Sequence, residues 1–328
     1  MASASGSSSR FLPDRFSVAL LATVVLANLV PPHGRGVVVV EHLTTFVVGL
    51  LFFLHGAKLS REAIVEGITH WRLHLLIFLC TFALFPLVAV VLKPVLLPLV
   101  TPALYTGVLF LAVLPSTVQS AIALTALARG NVPAAVCSAS ASTLLGVFVT
   151  PLLASLLLAS HSGITVSGDS LLRILLQLVV PFVVGHGMRP WIGAWIRAHG
   201  KGVSLVDRGS ILLVVYSAFG AAVTEGLWSQ VPVAALVSLL VVCGVVLGVC
   251  LVATTVLSRR LGFDKADEIT IVFCGSKKSL ASGIPMANVL FASAAVGTAV
   301  LPLMVFHQLQ LMVCAVLAQR YARRTDPA

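Results

Sequence analysis

Apolar residues fill this chain in blocks of about twenty, a length that spans a bilayer's hydrocarbon core, separated by short polar punctuation. The blocks fall at 15–31, 37–57, 72–93, 103–128, 132–159, 169–188, 208–226, 231–258, 267–290 and 293–319. In lipid, only a helix closes all its backbone hydrogen bonds within one segment. The pattern therefore predicts an all-α polytopic membrane protein with ten transmembrane helices, the ninth and tenth least cleanly separated. The first block ends in Leu29-Val30-Pro31-Pro32, not in a small-residue cleavage site, so it reads as a span and not as a signal peptide. Residues 1–14 read as a disordered polar tail. Residues 15–160 form a first half of five helices, 168–320 a second half, and 321–328 a C-terminal tail. The longest soluble connection is expected at 189–207.

Composition agrees with the pattern: 59% of the 328 residues are hydrophobic, 10% are charged, and mean hydropathy is +1.07. A soluble globule of this size would need far more charge on its surface. The net charge of +10 would suggest a nucleic-acid partner in a soluble protein, but here its placement has another meaning. With the N-terminus inside, sixteen of the 21 basic residues fall on the cytoplasmic side. Only Arg35, Lys93 and Arg173 fall outside, and Lys277 and Lys278 fall within the membrane. That bias orients the chain with both termini cytoplasmic, its partner being the lipid bilayer and no nucleic acid. The six cysteines lie in apolar blocks without metal-type spacing and read as small buried hydrophobes.

The ninth block carries the candidate chemistry. Its centre, Gly275-Ser276-Lys277-Lys278-Ser279, holds two lysines with no acid beside them. A lysine at mid-bilayer costs about 3 kcal/mol or more. Gly275, Gly283 and Pro285 predict a broken helix there, and charge at a helix break is a common way to build a transporter site. The fourth block has its own breaker, Leu114-Pro115-Ser116-Thr117-Val118-Gln119-Ser120. Each break is followed by an Asn-Val step (Asn131-Val132 and Asn288-Val289) and then a small-residue helix. With five helices per half, the halves are inverted repeats. Candidate substrate- or ion-binding residues are Ser116, Thr117, Gln119, Ser120, Ser140, Ser276, Lys277, Lys278 and Ser279.

Other readings compete at several of these positions. The lysines could lie in a loop, and the serines of 138–142 with Thr143 could serve close helix packing. His307, Gln308 and Gln310 could be interhelical hydrogen bonds as readily as substrate contacts. Asn131 and Asn288 fit backbone capping at the junctions. His70 and His74 are four apart but sit at a membrane edge. No HExxH, aspartate pair or serine–histidine dyad is present, so no enzyme is expected. A channel would favour a symmetric ring over two unlike breaks.

At Leu127-Ala-Arg-Gly-Asn-Val132, Pro115-Ser-Thr-Val-Gln-Ser120 and Gly275-Ser-Lys-Lys-Ser-Leu280 the chain resembles the bile acid:sodium symporter family, in its divergent bacterial branch. The resemblance implies a bacterial inner-membrane transporter working by alternating access. Its panel domain would hold spans 1, 2, 6 and 7, and its core domain spans 3–5 and 8–10. Discontinuous spans four and nine would cross at the substrate site. In sodium-coupled members the ninth-span break supplies a glutamate and a glutamine to sodium. Aligned on Gly275, this chain has Phe273 and Lys277 there, while Thr117, Gln119 and Ser120 match the fourth-span break. An ammonium would repel a bound cation, so sodium coupling at the ninth span is not expected and no other cofactor is. One lysine would act instead as a tethered charge, solvated by Ser116, Gln119, Ser276, Ser279 and backbone carbonyls. The expected cargo is a small organic anion, with a channel or a proton-coupled exporter as the alternative.

Overall fold

A computed structural model describes residues 15–58, 70–162, 168–224, 226 and 232–324. The proposed tail 1–14 and residues 325–328 lie outside the described residues. Every regular element described is helical. In chain order these are α1 (Arg15–Leu29), α2 (Arg35–Lys58), α3 (Trp71–Val91), α4 (Lys93–Leu96), α5 (Pro102–Val113), α6 (Gln119–Leu127), α7 (Val132–Ser162) and α8 (Gly168–Ala198). They continue with α9 (Gly200–Thr224), α10 (Val233–Arg260), α11 (Lys265–Gly275), α12 (Leu280–Leu290) and α13 (Ser293–Ala322). Six of them, α2, α3, α7, α9, α10 and α13, are each long and apolar enough alone to cross a membrane. Large apolar side chains such as Phe46, Leu156 and Val252 face outward. A water-soluble surface of this kind would be unusual, whereas a lipid-facing one requires it.

Local chemistry sets the ends of the central helices. Thr101 caps α5 by accepting from Leu104 N–H, and Pro102 follows in the first turn, where its missing N–H costs nothing. Asp264 caps α11 through Asp267 N–H, and Ser279 caps α12 through Ser282 N–H. The breaks expected in the fourth and ninth blocks are present. Residues 114–118 separate α5 from α6, and residues 276–279 separate α11 from α12. The ninth and tenth blocks part at Phe291-Ala292, just before α13.

Two features depart from the sequence pattern. The connection expected at 189–207 is helical, α8 running to Ala198 and α9 resuming at Gly200 with only His199 between them. Apolar content marks where lipid is crossed, not where a helix ends, so a polar continuation of α8 leaves no break in the pattern. The third block is also not one uniform helix. It contains a π-helical segment, Cys80–Leu84, between α-helical stretches Trp71–Leu79 and Phe85–Val91.

Packing centres on α5, which is buried along most of its length against α7, α13 and the end of α3. On the other side of the molecule α2 lies along α8, and α1 along α9. The α2–α8 crossing depends on two glycines. A Cβ at Gly56 would stand 2.0 Å from the Phe182 carbonyl oxygen, and one at Gly185 would stand 2.0 Å from that of Phe53. The junction between α6 and α7 is tied to α11. Asn131 Oδ1 accepts from Ala134 N–H, its Nδ2 donates to Asp267 Oδ1 at 2.8 Å, and its carbonyl accepts from Thr270 Oγ1. The capping role expected of Asn131 is thus accompanied by a link to α11.

Candidate functional site: two lysines at facing helix breaks

The breaks between α5 and α6 and between α11 and α12 meet, and each donates a hydrogen bond to a backbone carbonyl of the other. Ser279 N–H donates to the Pro115 carbonyl at 2.9 Å, and Ser116 Oγ donates to the Cys274 carbonyl at 2.5 Å. Ser116 N–H is taken by Ser142 Oγ on α7 at 2.9 Å. Breaking a helix away from water orphans its last carbonyls, and each must find a donor. At the end of α5 the Val113 carbonyl accepts from Thr150 Oγ1 at 2.8 Å. The carbonyls of Ala112 and Leu114 accept from Lys278.

Lys278 is fully buried. Its ammonium donates three hydrogen bonds, to the carbonyls of Thr81 at 2.6 Å, Ala112 at 2.7 Å and Leu114 at 2.8 Å. An ammonium has three N–H donors, and all three are used. The Phe85 ring lies beneath it, 4.3 Å from nitrogen to centroid, a cation–π contact. The peptide of Lys278 is also held on both sides by one side chain. Gln310 Oε1 accepts from its N–H and Gln310 Nε2 donates to its carbonyl, both at 2.9 Å. The same Nε2 lies 2.9 Å from His307 Nδ1.

The Thr81 carbonyl is available because of the π-helical segment. There the Phe85 N–H donates to the Cys80 carbonyl, five residues back. The next bond in that register would run from residue 86 to Thr81, but residue 86 is proline and has no N–H. The orphaned carbonyl is satisfied by Lys278 instead.

Lys277 is equally buried but differently held. Its Nζ has Ser120 Oγ as a hydrogen-bond partner at 3.3 Å and lies 5.7 Å from the Phe273 ring centroid. Ser120 Oγ is also 2.8 Å from Thr117 Oγ1. The two lysines therefore sit on opposite sides of the break between α5 and α6. Lys278 lies at the C-terminal end of α5, where the helix dipole favours a cation. Lys277 lies at the N-terminal end of α6, where the dipole favours an anion.

Of the residues expected from the sequence, Ser116, Thr117, Ser120, Ser276, Lys277, Lys278 and Ser279 come together at the two breaks. The partners of the ammonium groups differ from expectation. Ser116, Ser276 and Ser279 serve backbone groups, Ser276 Oγ donating to the Val272 carbonyl at 2.5 Å. Gln119 is exposed at the start of α6 and Ser140 is half-buried on α7; neither is bonded to a lysine. Two further helices also contribute, through Thr81 and Gln310. Nothing in the sequence marked Thr81, and Gln310 stood out only as a polar residue in an apolar block. Among the described residues, no group of histidine, cysteine and carboxylate side chains is placed to hold a metal ion.

These features define a helical integral membrane protein built around two facing helix interruptions with two buried lysines between them. Comparison with known proteins gives the class a family. The model of the SBF-like CPA transporter family matches residues 14–323. The Pseudomonas aeruginosa protein PA2026 is 64% identical over 319 residues, covering 97% of this chain and 96% of its own. Escherichia coli (strain K12) YfeH, whose name marks it provisionally as a symporter, is 54% identical over 95% of this chain and 94% of its own. The sodium/bile acid cotransporter 7 of Rattus norvegicus is 28% identical over 94% of this chain and 92% of its own. The chain belongs to the SBF-like CPA transporter family, and it is a transporter, not an enzyme.

Proposed function

We propose that this protein is a sodium-independent secondary transporter that carries a small organic anion by alternating access. The observation that carries the proposal is the ammonium of Lys278 on the carbonyls of Thr81, Ala112 and Leu114. Inward-facing carbonyls at helix ends are the ligands an alkali cation takes up in a discontinuous-helix transporter. Here the cation is covalently part of α12's leading edge. A sodium ion at the same place would meet a fixed positive charge, with Lys277 as a second one. The names of the animal relatives refer to sodium and bile acid; in this chain neither is the proposed cargo.

Lys277 is the proposed solute contact. Its single neutral hydroxyl partner leaves its charge uncompensated, and it stands beside the N-terminus of α6. Its partner Ser120 follows the exposed Gln119 in the chain. An anion entering past Gln119 would displace Ser120 from the ammonium and gain both the charge and the N–H groups of α6.

The architecture that goes with this reading has ten crossings: α1, α2, α3, α5 with α6, α7, α8, α9, α10, α11 with α12, and α13. Residues 15–160 and 168–320 form inverted halves, a plan supported by breaks in the fourth crossing of each. The α1, α2, α8 and α9 packing suits a panel that moves against the remaining core. The reading places the chain in a bacterial inner membrane, and the excess of basic residues on one side supports cytoplasmic termini.

The test is the thermal stability of the purified protein in detergent, in sodium and in potassium chloride, across organic and inorganic anions. A ligand that binds only the folded state at a hundred times its Kd adds about 2.7 kcal/mol. The expected result is stabilisation by an anion, equal in both salts and abolished by Lys277→Gln. Stabilisation by sodium alone would overturn the proposal.

A further inference from the structure

Four half-helices meet at the two breaks, and three of them are covered. α5 is buried along most of its length, α11 from Asp267 to Gly275, and α12 at nearly every position from Leu280 to Ala287. α12 packs against α9 and α13. α6, which begins beside Lys277, differs. Ala121, Thr125 and, just past its end, Ala128 are buried, with Ala121 and Ala128 packed among α11 side chains such as Ile271 and Phe273. Gln119, Ala123 and Ala126 are exposed. At about 100° per residue these three fall within about 60° of one another, on the side of the helix away from the buried set.

Two features identify the medium on that face as water. The nine residues of α6 measure about 13 Å at 1.5 Å per residue, close to half of a hydrocarbon core about 30 Å thick. Gln119, at the end of α6 that meets the break, therefore stands near mid-membrane. An exposed amide at that depth needs water as its partner, and hydrocarbon supplies none. The second feature is side-chain size. Exposed positions on α2 and α10 carry Val39, Phe46, Val237, Val241 and Val252, the large apolar groups that suit lipid. α6 presents a glutamine and two alanines instead, with Leu127 only at its far end. That end leads to Arg129, whose carbonyl accepts from Arg324 Nη2 at 2.8 Å. In the orientation proposed above it faces the cytoplasm.

We propose that the exposed face of α6 lines a water-filled route from the cytoplasm to Lys277, and that Ala123 and Ala126 set its width. The route rests on the crossings and orientation proposed above. A solute anion enters at the Arg129 end, moves along Ala126 and Ala123, and meets Gln119 before Ser120 and Lys277. The two alanines put the least side chain into this wall, so added bulk there closes it. With α5 and α12 buried, the same break is sealed from the outer side.

The experiment is cysteine labelling of the full-length protein in right-side-out and inside-out membrane vesicles. The reagent is methanethiosulfonate ethylsulfonate, a membrane-impermeant anion that reacts with thiolates in water. The six native cysteines are buried, so the parent protein supplies the blank. Arg260→Cys, at the exposed end of α10, reports which face is cytoplasmic. Gln119→Cys, Ala123→Cys and Ala126→Cys should be modified, like Arg260→Cys, in inside-out vesicles and spared in right-side-out ones. Ala121→Cys and Thr125→Cys should stay at the level of the parent. Ala123→Phe, added to Gln119→Cys, should abolish labelling at 119. With Arg260→Cys labelled from inside, α6 variants labelled only from outside would overturn the route. Variants labelled from neither face would overturn it too, because that face then meets lipid, as would equal labelling of the exposed and buried sets. Arg260→Cys labelled only in right-side-out vesicles would overturn the orientation and the cytoplasmic route with it. Melting temperatures matching the parent ensure that labelling reports the folded protein. No readout here needs a transported anion, so a protein that no anion stabilises still gives a decisive labelling pattern.

Discussion

The ammonium of Lys278 donates to the carbonyl of Thr81 at 2.6 Å, across 197 positions of chain. The bond joins the interruption in the ninth apolar block to a π-helical segment in the third. It exists because Pro86 cannot supply the N–H that Thr81 would otherwise receive. Two irregularities, each costly alone, thus satisfy one another. Replacing Pro86 by alanine restores the N–H and lets the third crossing close on itself. Lys278 then loses an acceptor in a dry interior, where an unmet donor on a charged group costs about 2 kcal/mol or more. Pro86→Ala is expected to lower the melting temperature in detergent. In a Lys278→Met background the same change should be neutral or stabilising. Identical effects of Pro86→Ala in both backgrounds would show that the two residues are uncoupled.

Shortening Lys278 tests whether its three acceptors form a cation site. Lys278→Ala leaves the carbonyls of Thr81, Ala112 and Leu114 around a void with no donor, a loss of about 3 kcal/mol or more. Methylammonium or sodium added to that variant should enter the void and raise its melting temperature, an effect absent from the parent protein. Lys278→Met fills the void without supplying donors, and its loss should not be rescued. A Lys278→Ala protein as stable as the parent, or equally destabilised with and without these cations, would exclude a built cation site.

The sequence and the structure agree most closely where composition is decisive. Ten apolar blocks, two helix breakers and a lysine pair without acids are visible along the chain, and each break is present where Pro115 and Gly275 announce it. The division of labour between the lysines is not visible. Lys277 and Lys278 are chemically identical neighbours, and they part only because α5 ends beside one and α6 begins beside the other. The role of Thr81 depends on a π register that leaves no mark in composition beyond a proline five residues on. The helical continuation through 189–198 was hidden for a different reason. Polar residues continue a helix outside the bilayer as well as apolar ones do inside it.

Gln310 holds the Lys278 peptide by both its N–H and its carbonyl. Gln310→Leu would bury both groups without partners, at about 1–3 kcal/mol each. Gln310→Glu keeps an acceptor for the N–H but, when ionised, offers no donor to the carbonyl, and it places a carboxylate among buried ammonium groups. The leucine variant is expected to melt lower than the parent, and any anion response in it should weaken as the break loosens. A leucine variant with unaltered melting temperature would show that water replaces the amide at this position.

The α2–α8 crossing makes a prediction in which position alone decides the outcome. Gly185 and Gly187 lie two residues apart in the same helix, and alanine is intrinsically better than glycine in a helix by about 1 kcal/mol. At Gly187 nothing lies within 4 Å of a new Cβ, so Gly187→Ala should be neutral or stabilising. At Gly185 the new atom would stand 2.0 Å from the backbone oxygen of Phe53, with the Phe53 carbonyl carbon at 2.8 Å. Backbone cannot rotate away as a side chain can, so the two helices must separate along their contact. Separation loses the close packing on which helix association in lipid depends. Gly185→Ala is therefore expected to cost more than the 1 kcal/mol of intrinsic gain, lowering the melting temperature in detergent. The reciprocal change, Gly56→Ala, meets the Phe182 carbonyl at the same 2.0 Å and should behave alike. If the crossing is one contact, the double variant should cost less than the sum of the singles, because helices already parted by one methyl accommodate the second. Full additivity would mean that the two glycines relieve separate collisions.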